Sequence, residues 1–125
     1  MIYGIGTDIV STSRIAAVWE RHGEAFARRI LAPQEWEGFV ANTQPARFLA
    51  KRFAAKEAFA KALGTGIRAP ATWHNIRVAH DELGKPLLAF DPELAELLGR
   101  HAIRRHHLSI SDEKDMAAAF VILEK

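Results

Sequence analysis

The 125-residue sequence contains no cysteine, which excludes disulfide bonds and catalysis by a thiol nucleophile. No apolar run approaches the ~20 residues of a membrane span, and no basic, apolar and small-residue signal peptide opens the chain. We therefore expect a cytoplasmic protein that does not bind membranes. A strong excess of one charge is also absent, because 17 Lys and Arg against 15 Asp and Glu leave a formal charge of +2. That balance permits an acidic protein partner but is not the signature of a nucleic-acid-binding protein.

The sequence predicts one domain over residues 1–125, since it has no repeat, low-complexity segment or dividing linker and 49% of its residues are hydrophobic. Helices are expected over Thr12–Leu31 with an interruption at Gly23, over Gln34–Ala41 after Pro33, from Pro45 to Gly64, and from Pro92 to about Arg100. Strands are expected over Ile2–Val10, Trp73–His80, Leu87–Phe90, Ile103–Ser111 and Met116–Leu123, the last two as a hairpin. Because helices and strands do not alternate regularly, the prediction is an α+β fold with a mainly antiparallel sheet.

The long helix carries charges that an ordinary core-facing helix lacks. Arg52 and Lys56 project beside an apolar arc of phenylalanine, leucine and alanine, where leucines would be usual. Glu57 and Lys61 lie one turn apart on the opposite side, flanked by alanines, so no broad solvated face remains. The ordinary interpretation is a surface pair worth ~0.3–0.5 kcal/mol. The alternative is that these charges have partners outside the helix.

Asp8 interrupts the apolar N-terminal strand, although aspartate is disfavoured in strands and unfavourable to bury unpaired. It could simply end the strand and cap the next helix. However, Ile9 and Val10 continue the strand, and the serines and threonine that follow are better placed as caps. Asp8 is therefore interpreted as a ligand or as half of an ion pair. Gly4 and Gly6 beside it would let backbone or substrate approach closely.

Four segments in this order carry a family resemblance: GIGTDIV at Gly4–Val10, RFAAKEAFAKALGTGI at Arg52–Ile67, GKP at Gly84–Pro86 and HLSISDE at His107–Glu113. Together they closely resemble the holo-[acyl-carrier-protein] synthase family, the small bacterial 4′-phosphopantetheinyl transferases. The resemblance extends over essentially the whole chain. It implies transfer of 4′-phosphopantetheine from coenzyme A to a serine of apo acyl carrier protein, with 3′,5′-ADP as leaving group, in fatty-acid biosynthesis.

The resemblance assigns Asp8 and Glu57 as ligands of Mg²⁺, a hard cation that takes few carboxylates and leaves room for phosphates. Lys61 would contact the phosphates as an electrostatic clamp or help to move the serine proton, for which Glu57 and a metal-bound water are equal candidates. Arg52 and Lys56 would reach phosphate, including the 3′-phosphate, or else pair with a carboxylate. Gly64 would let the nucleotide approach, or simply stop the helix.

His107, Ser109 and Ser111 alternate along one strand and share a face, which is often only the solvated face. In the family this segment lies at the coenzyme A site, so His107 and Ser109 are expected to contact phosphate or ribose. Many relatives read HVSISH, whereas Asp112 stands here in place of the last histidine. No histidines have the spacing of a zinc site.

Arginines recur along the first helix, and Arg14 and Arg21 lie near one face. They form either a solvated helix side or the contact with the acidic recognition helix of the carrier protein. Relatives form homotrimers with coenzyme A sites at subunit boundaries, so the same is expected here, with His107 supplied by a neighbouring subunit.

Two other classes of function remain open from the residues alone. A Mg²⁺-dependent phosphohydrolase would use the same carboxylates with water in place of serine. A non-catalytic adaptor would bind an acidic partner through the arginines and would be indifferent to Mg²⁺.

Overall fold

A computed structural model describes all 125 residues as helices packed on two antiparallel sheets, which confirms the predicted α+β class. The strands are β1 (Ile2–Ser11), β2 (Ile76–His80), β3 (Pro86–Phe90), β4 (Arg105–Asp112) and β5 (Met116–Glu124). The helices are α1 (Thr12–His22), α2 (Glu24–Ile30), α3 (Trp36–Ala41, preceded by a 3-10 turn at Pro33–Glu35), α4 (Pro45–Leu63) and α5 (Pro92–Arg100). The larger sheet has the order β1–β5–β4, and β2 pairs with β3 in the smaller one. No helix combines the length and apolar content needed to cross a bilayer.

Helix α4 forms the centre of the molecule, with 12 of its 19 residues buried. Strand β1 lies directly against it at two glycines. A Cβ on Gly4 would come within 2.0 Å of the Ala62 carbonyl oxygen, and one on Gly6 within 2.0 Å of the Ala58 carbonyl oxygen. The alanines of α4 and the glycines of β1 therefore bring the two backbones into contact, and this close packing fixes where the next residues of β1 meet the helix.

The core has two parts on either side of α4. One part packs α4 against the inner faces of both sheets and α5, and contains Phe59, Ile76, Leu94 and Val121. The other packs the N-terminal half of α4 against the first three helices and contains Ile30, Phe39 and Leu49 among others. Both parts are apolar, so burial of this surface supplies the main stabilisation of the fold.

Most predicted boundaries agree with the structure within a few residues. Gly23 separates α1 from α2 with a φ of 54°, and Gly64 ends α4 in the left-handed conformation with a φ of 90°. The strand predicted from Trp73 is wrong in its first three residues, which form a turn. Asn75 stabilises that turn by donating its side-chain NH to the carbonyl of Pro70 and its backbone NH to Thr72.

The outer face of the larger sheet is apolar and exposed. Phe120 on the central strand is 43% exposed, and Ile5 and Ile9 on β1 are 60% and 62% exposed. Ile122 and Ala118 on β5, which are the register partners of Ile5 and Ile9, face the same side of the sheet. The sheet thus has one face buried by α4 and a second apolar face with nothing packed on it in the single chain.

Candidate active site

Asp8, Glu57 and Lys61 come together where β1 crosses α4. Asp8 lies on the same face of β1 as Gly4 and Gly6, because side chains alternate along a strand, and this face points to α4. The Lys61 ammonium donates to the Asp8 carboxylate and to the Thr7 carbonyl, each at 3.0 Å. The Asp8 side chain is 15% exposed and the Lys61 side chain 53% exposed. The predicted partner of Asp8 is therefore present, at a position open to solvent.

Burial raises the pKa of Glu57, the neighbouring Asp8 carboxylate raises it further, and the Lys61 ammonium opposes both effects. The negative charge of Asp8 disfavours ionisation of Glu57, and a cation bound between the two side chains would relieve this repulsion. Their hard oxygen donors suit Mg²⁺, and two protein ligands leave coordination positions for phosphate oxygens. The donor set therefore fits the metal that was expected from the sequence. No third His, Asp or Glu joins the pair.

A groove of about 320 Å³ extends from Asp8 along β1 to the first helix. Arg14 of α1 lines it together with the apolar side chains of Ile9, Val18 and Phe53. Arg14 and Arg21 are both exposed and neither forms an ion pair, whereas Arg28 on the next helix pairs with Glu24. The groove thus joins Asp8, the neighbour of Glu57, to an unpaired arginine.

Arg52 and Lys56 are both buried, although Arg52 also borders two cavities. Lys56 is fully buried, and its ammonium donates to Glu35 at 2.6 Å and to the carbonyls of Ile30 and Trp73 at 2.8 Å each. All three of its hydrogens are therefore used within the protein, so it is not available to a phosphate. The expected coenzyme A contact of Lys56 does not fit this structure, and pairing with a carboxylate, the other possibility, is what is found.

A second cavity, of about 150 Å³, brings three of the four sequence motifs together. Arg52 lines it from α4, Gly84 and Pro86 line it from the turn before β3, and Ile110 and Asp112 line it from β4. Asp112 also accepts a 2.5 Å hydrogen bond from Arg47, so its carboxylate holds an arginine beside this cavity.

The sheet separates His107 and Ser109 from the carboxylates. Both face outward on β4, opposite Ile122 and Phe120 of β5, whereas Asp8 faces inward on β1. His107 hydrogen-bonds Glu124 at 2.6 Å and is exposed. Within one chain these residues cannot meet Asp8 and Glu57.

Gly64 and Gly66 both have positive φ, and a Cβ on either would meet no atom within 4 Å. The positive φ is therefore what requires glycine at these two positions, because a side chain would have space there.

The sequence profile of the 4′-phosphopantetheinyl transferase superfamily matches residues 4–121. A holo-[acyl-carrier-protein] synthase of Nitrosomonas europaea is 61% identical over the full length of both chains. This chain belongs to the holo-[acyl-carrier-protein] synthase family. It is accordingly an enzyme of the phosphopantetheinyl transferase class, as the four motifs predicted.

Solved structures of other holo-[acyl-carrier-protein] synthases have the same fold. The crystal structure of the Neisseria meningitidis protein superimposes with a TM-score of 0.97 at 54% identity, covering 100% of both chains. The Bacillus anthracis protein, solved in complex with coenzyme A (3′,5′-ADP), gives a TM-score of 0.81 at 38% identity, covering 98% of this chain and 96% of that one.

One residue that the motifs of the holo-[acyl-carrier-protein] synthase family did not identify is Glu35. Its carboxylate is the partner of both Arg52 and Lys56, and it is 5% exposed. In the sequence it looks like a surface acid in the first turn of a helix after proline. The available signal was the pair of cations on the apolar arc of α4, which needed a buried acid from elsewhere in the chain.

Proposed function

We propose that this protein transfers the 4′-phosphopantetheine group of coenzyme A to a serine of apo acyl carrier protein, releasing 3′,5′-ADP, in a Mg²⁺-dependent reaction. The observation that carries the proposal is the cluster of Asp8, Glu57 and Lys61 at one end of a groove that leads to Arg14. It provides ligands for a cation and a positive charge for phosphate beside a surface that an acidic protein can occupy.

In this reaction the serine oxygen bonds to the pantetheine-side phosphorus as the bridging bond of the diphosphate breaks. The serine proton passes to a base in this cluster, for which Glu57 and Lys61 are the candidates among the residues of the chain, and 3′,5′-ADP departs with the bridging oxygen. The Lys61 ammonium lies 3.0 Å from Asp8, beside the proposed position of the diphosphate. Lys61 therefore acts as an electrostatic clamp that stabilises negative charge on the phosphates. A divalent cation held by Asp8 and Glu57 would neutralise further charge on the diphosphate.

The carrier protein docks on the arginine side of the groove. Arg14 and Arg21 present unpaired positive charge, which raises the rate of encounter with an acidic helix. Val18 and Phe53 line the same groove and offer apolar contacts to the carrier protein. The nucleotide of coenzyme A is assigned to the cavity at Arg52, Gly84 and Pro86.

The active unit is a homotrimer with shared sites, working in the cytoplasm in fatty-acid synthesis. The exposed apolar sheet face around Ile5, Ile9 and Phe120 is suited to burial against other copies. His107 and Ser109 lie on that outer face, so they would contact coenzyme A bound at a neighbour's Asp8 and Glu57.

Intact mass spectrometry of apo acyl carrier protein, incubated with coenzyme A and this protein, tests the proposal. With Mg²⁺ the carrier should gain one phosphopantetheinyl group, and a chelator should prevent the gain. Glu57→Ala should abolish it, whereas Glu82→Ala in an exposed turn should not. Consumption of coenzyme A with no carrier modified would indicate a phosphohydrolase instead, and no reaction with either would contradict a catalytic role for the cluster.

A further inference from the structure

A single buried carboxylate, that of Glu35, connects three parts of the fold. Its Oε1 accepts from the Ala32 backbone NH at 2.8 Å and from the Lys56 ammonium at 2.6 Å. Its Oε2 accepts from the Val78 backbone NH at 3.0 Å and lies 3.0 Å from Nε of Arg52. Four contacts on two oxygens leave the carboxylate no freedom to reorient, so Glu35 is a fixed point between the turn before α3, strand β2 and helix α4.

The charges of this cluster do not balance. Arg52 and Lys56 bring two positive charges to one negative charge, and the nearby Arg77 is paired separately with Asp91. Desolvation lowers the pKa of Lys56 to about 8, against the opposing effect of Glu35, and it also lowers the pKa of Arg52. The excess positive charge is thus held in a poorly solvated position, where an incoming anion would relieve it.

The guanidinium of Arg52 is held on two sides and free on a third. Its Nε faces Glu35 outside hydrogen-bonding angles, as an ion pair. Its flat face lies over the ring of Phe48, 4.1 Å from the ring centre. Neither Nη atom hydrogen-bonds another residue, and the side chain lines the cavity that contains Gly84, Pro86 and Ile110. Arg52 also lines a neighbouring cavity of about 240 Å³ together with Glu35 and His80, so its Nη donors remain available to an anion in either space, one of which is assigned to the nucleotide.

We propose that Glu35 is a positioning residue that orients the guanidinium of Arg52 toward a phosphate of coenzyme A. The inference rests on the proposed function, because it takes coenzyme A as the anion. A guanidinium that is already fixed loses little conformational entropy when it binds, so its hydrogen bonds to a phosphate contribute more to affinity. Glu35 itself touches no substrate, and its whole effect on binding passes through Arg52.

A double-mutant cycle on coenzyme A affinity, measured by calorimetry, tests this dependence. Arg52→Gln is expected to weaken binding about 30-fold, which corresponds to the loss of one or two hydrogen bonds to a charged group. Glu35→Gln, which keeps the size of the side chain, should weaken it about 5- to 10-fold. The double variant should bind no more weakly than Arg52→Gln alone. Losses that multiply, or wild-type affinity in Glu35→Gln, would overturn the proposal.

Kinetics distinguish positioning from general damage to the fold. In Glu35→Gln the KM for coenzyme A should rise, while kcat and the KM for the carrier protein stay within about 2-fold of wild type. Glu37→Gln is the matched control, since it removes the same charge two residues away at an exposed position. A fall in kcat with unchanged KM for coenzyme A would count against positioning.

Glu35→Gln leaves two buried cations without their carboxylate, so the variant could unfold. A second variant controls for this effect. The variant Glu35→Gln/Lys56→Met keeps the net charge of the cluster at that of wild type and should show the same weakened binding. Failure of the proposed function is separately visible: a wild-type protein that binds coenzyme A without modifying the carrier would refute the transferase assignment and leave the cycle interpretable. Wild-type protein that does not bind coenzyme A would overturn both.

Discussion

Replacing Gly6 with alanine tests whether the contact between β1 and α4 builds the active site. The new Cβ would lie 2.0 Å from the Ala58 carbonyl oxygen and 2.6 Å from the Ala62 nitrogen. An ordinary contact needs 3.4 Å, so strand and helix must separate by roughly 1.4 Å, the difference between those two distances. Both obstructing atoms belong to the backbone of a buried helix, and no rotamer change can relieve the clash. Overpacking of this kind destabilises folds by about 1–3 kcal/mol, and we expect the upper end.

The same displacement should reduce catalysis. Asp8 follows Gly6 by two residues on the same face of β1, so a shift of the strand moves Asp8 away from Lys61 and Glu57. Misplacement of catalytic groups by about 1 Å lowers rates by about 10²-fold. Gly6→Ala should therefore transfer phosphopantetheine about a hundredfold more slowly even under conditions where it is fully folded.

Urea unfolding followed by circular dichroism, together with the carrier mass assay, measures both effects. Gly99→Ala is the control, because its Cβ would meet no atom within 4 Å and alanine favours the helix by ~0.5–1 kcal/mol. A Gly6→Ala protein with wild-type unfolding midpoint and wild-type rate would show that β1 does not depend on this close packing. A protein that is destabilised yet fully active would show that the contact at Gly6 stabilises the fold but does not position the catalytic residues.

Three further outcomes are expected. Mg²⁺ affinity should fall as the pH is lowered through the raised pKa of Glu57, because the proton and the cation compete for one carboxylate; calorimetry from neutral to mildly acidic pH checks this, and a flat profile would contradict it. Arg14→Glu should raise the KM for the carrier protein about 10-fold and leave the KM for coenzyme A unchanged, with exposed Arg100→Glu as control; equal effects of the two variants would remove Arg14 from the docking surface. Phe120→Asp should give a folded single chain by sedimentation with little transfer activity, whereas an intact trimer would mean that subunits associate elsewhere.

Local signals in the sequence were sufficient to predict the bounds of helices that end at glycine or begin at proline. Gly23, Pro45 and Gly64 mark helix ends because their backbone restrictions act on neighbouring residues alone. The same holds for the alternation of β4, which correctly placed His107 and Ser109 on one face. The strand prediction from Trp73 was wrong because the residues after Trp73 alternate as they would in a strand. The turn that forms there instead depends on hydrogen bonds of Asn75 with Pro70 and of the distant Lys56 with Trp73.

The sequence predicted the site residues that lie within the four motifs, but not the partners that lie outside them. Asp8 and Lys61 were recognised as charges needing partners, and the structure pairs them with each other. The contacts of Lys56 could not be read in the same way, because Glu35 lies 21 residues away and its burial is decided by packing. Charge on an apolar arc indicates that a partner exists, but the identity of that partner depends on tertiary structure.

The strand order β1–β5–β4 has a consequence for how the chain becomes active during synthesis. The central strand of the larger sheet is β5, so β1 has no partner in that sheet until residues 116–124 have left the ribosome. Asp8 is paired in register with Ala119, so its strand acquires backbone pairing through contacts of very long sequence separation. Helices α1 to α4 can therefore form before β1 is fixed in the sheet, so the cluster of Asp8, Glu57 and Lys61 is assembled late in folding.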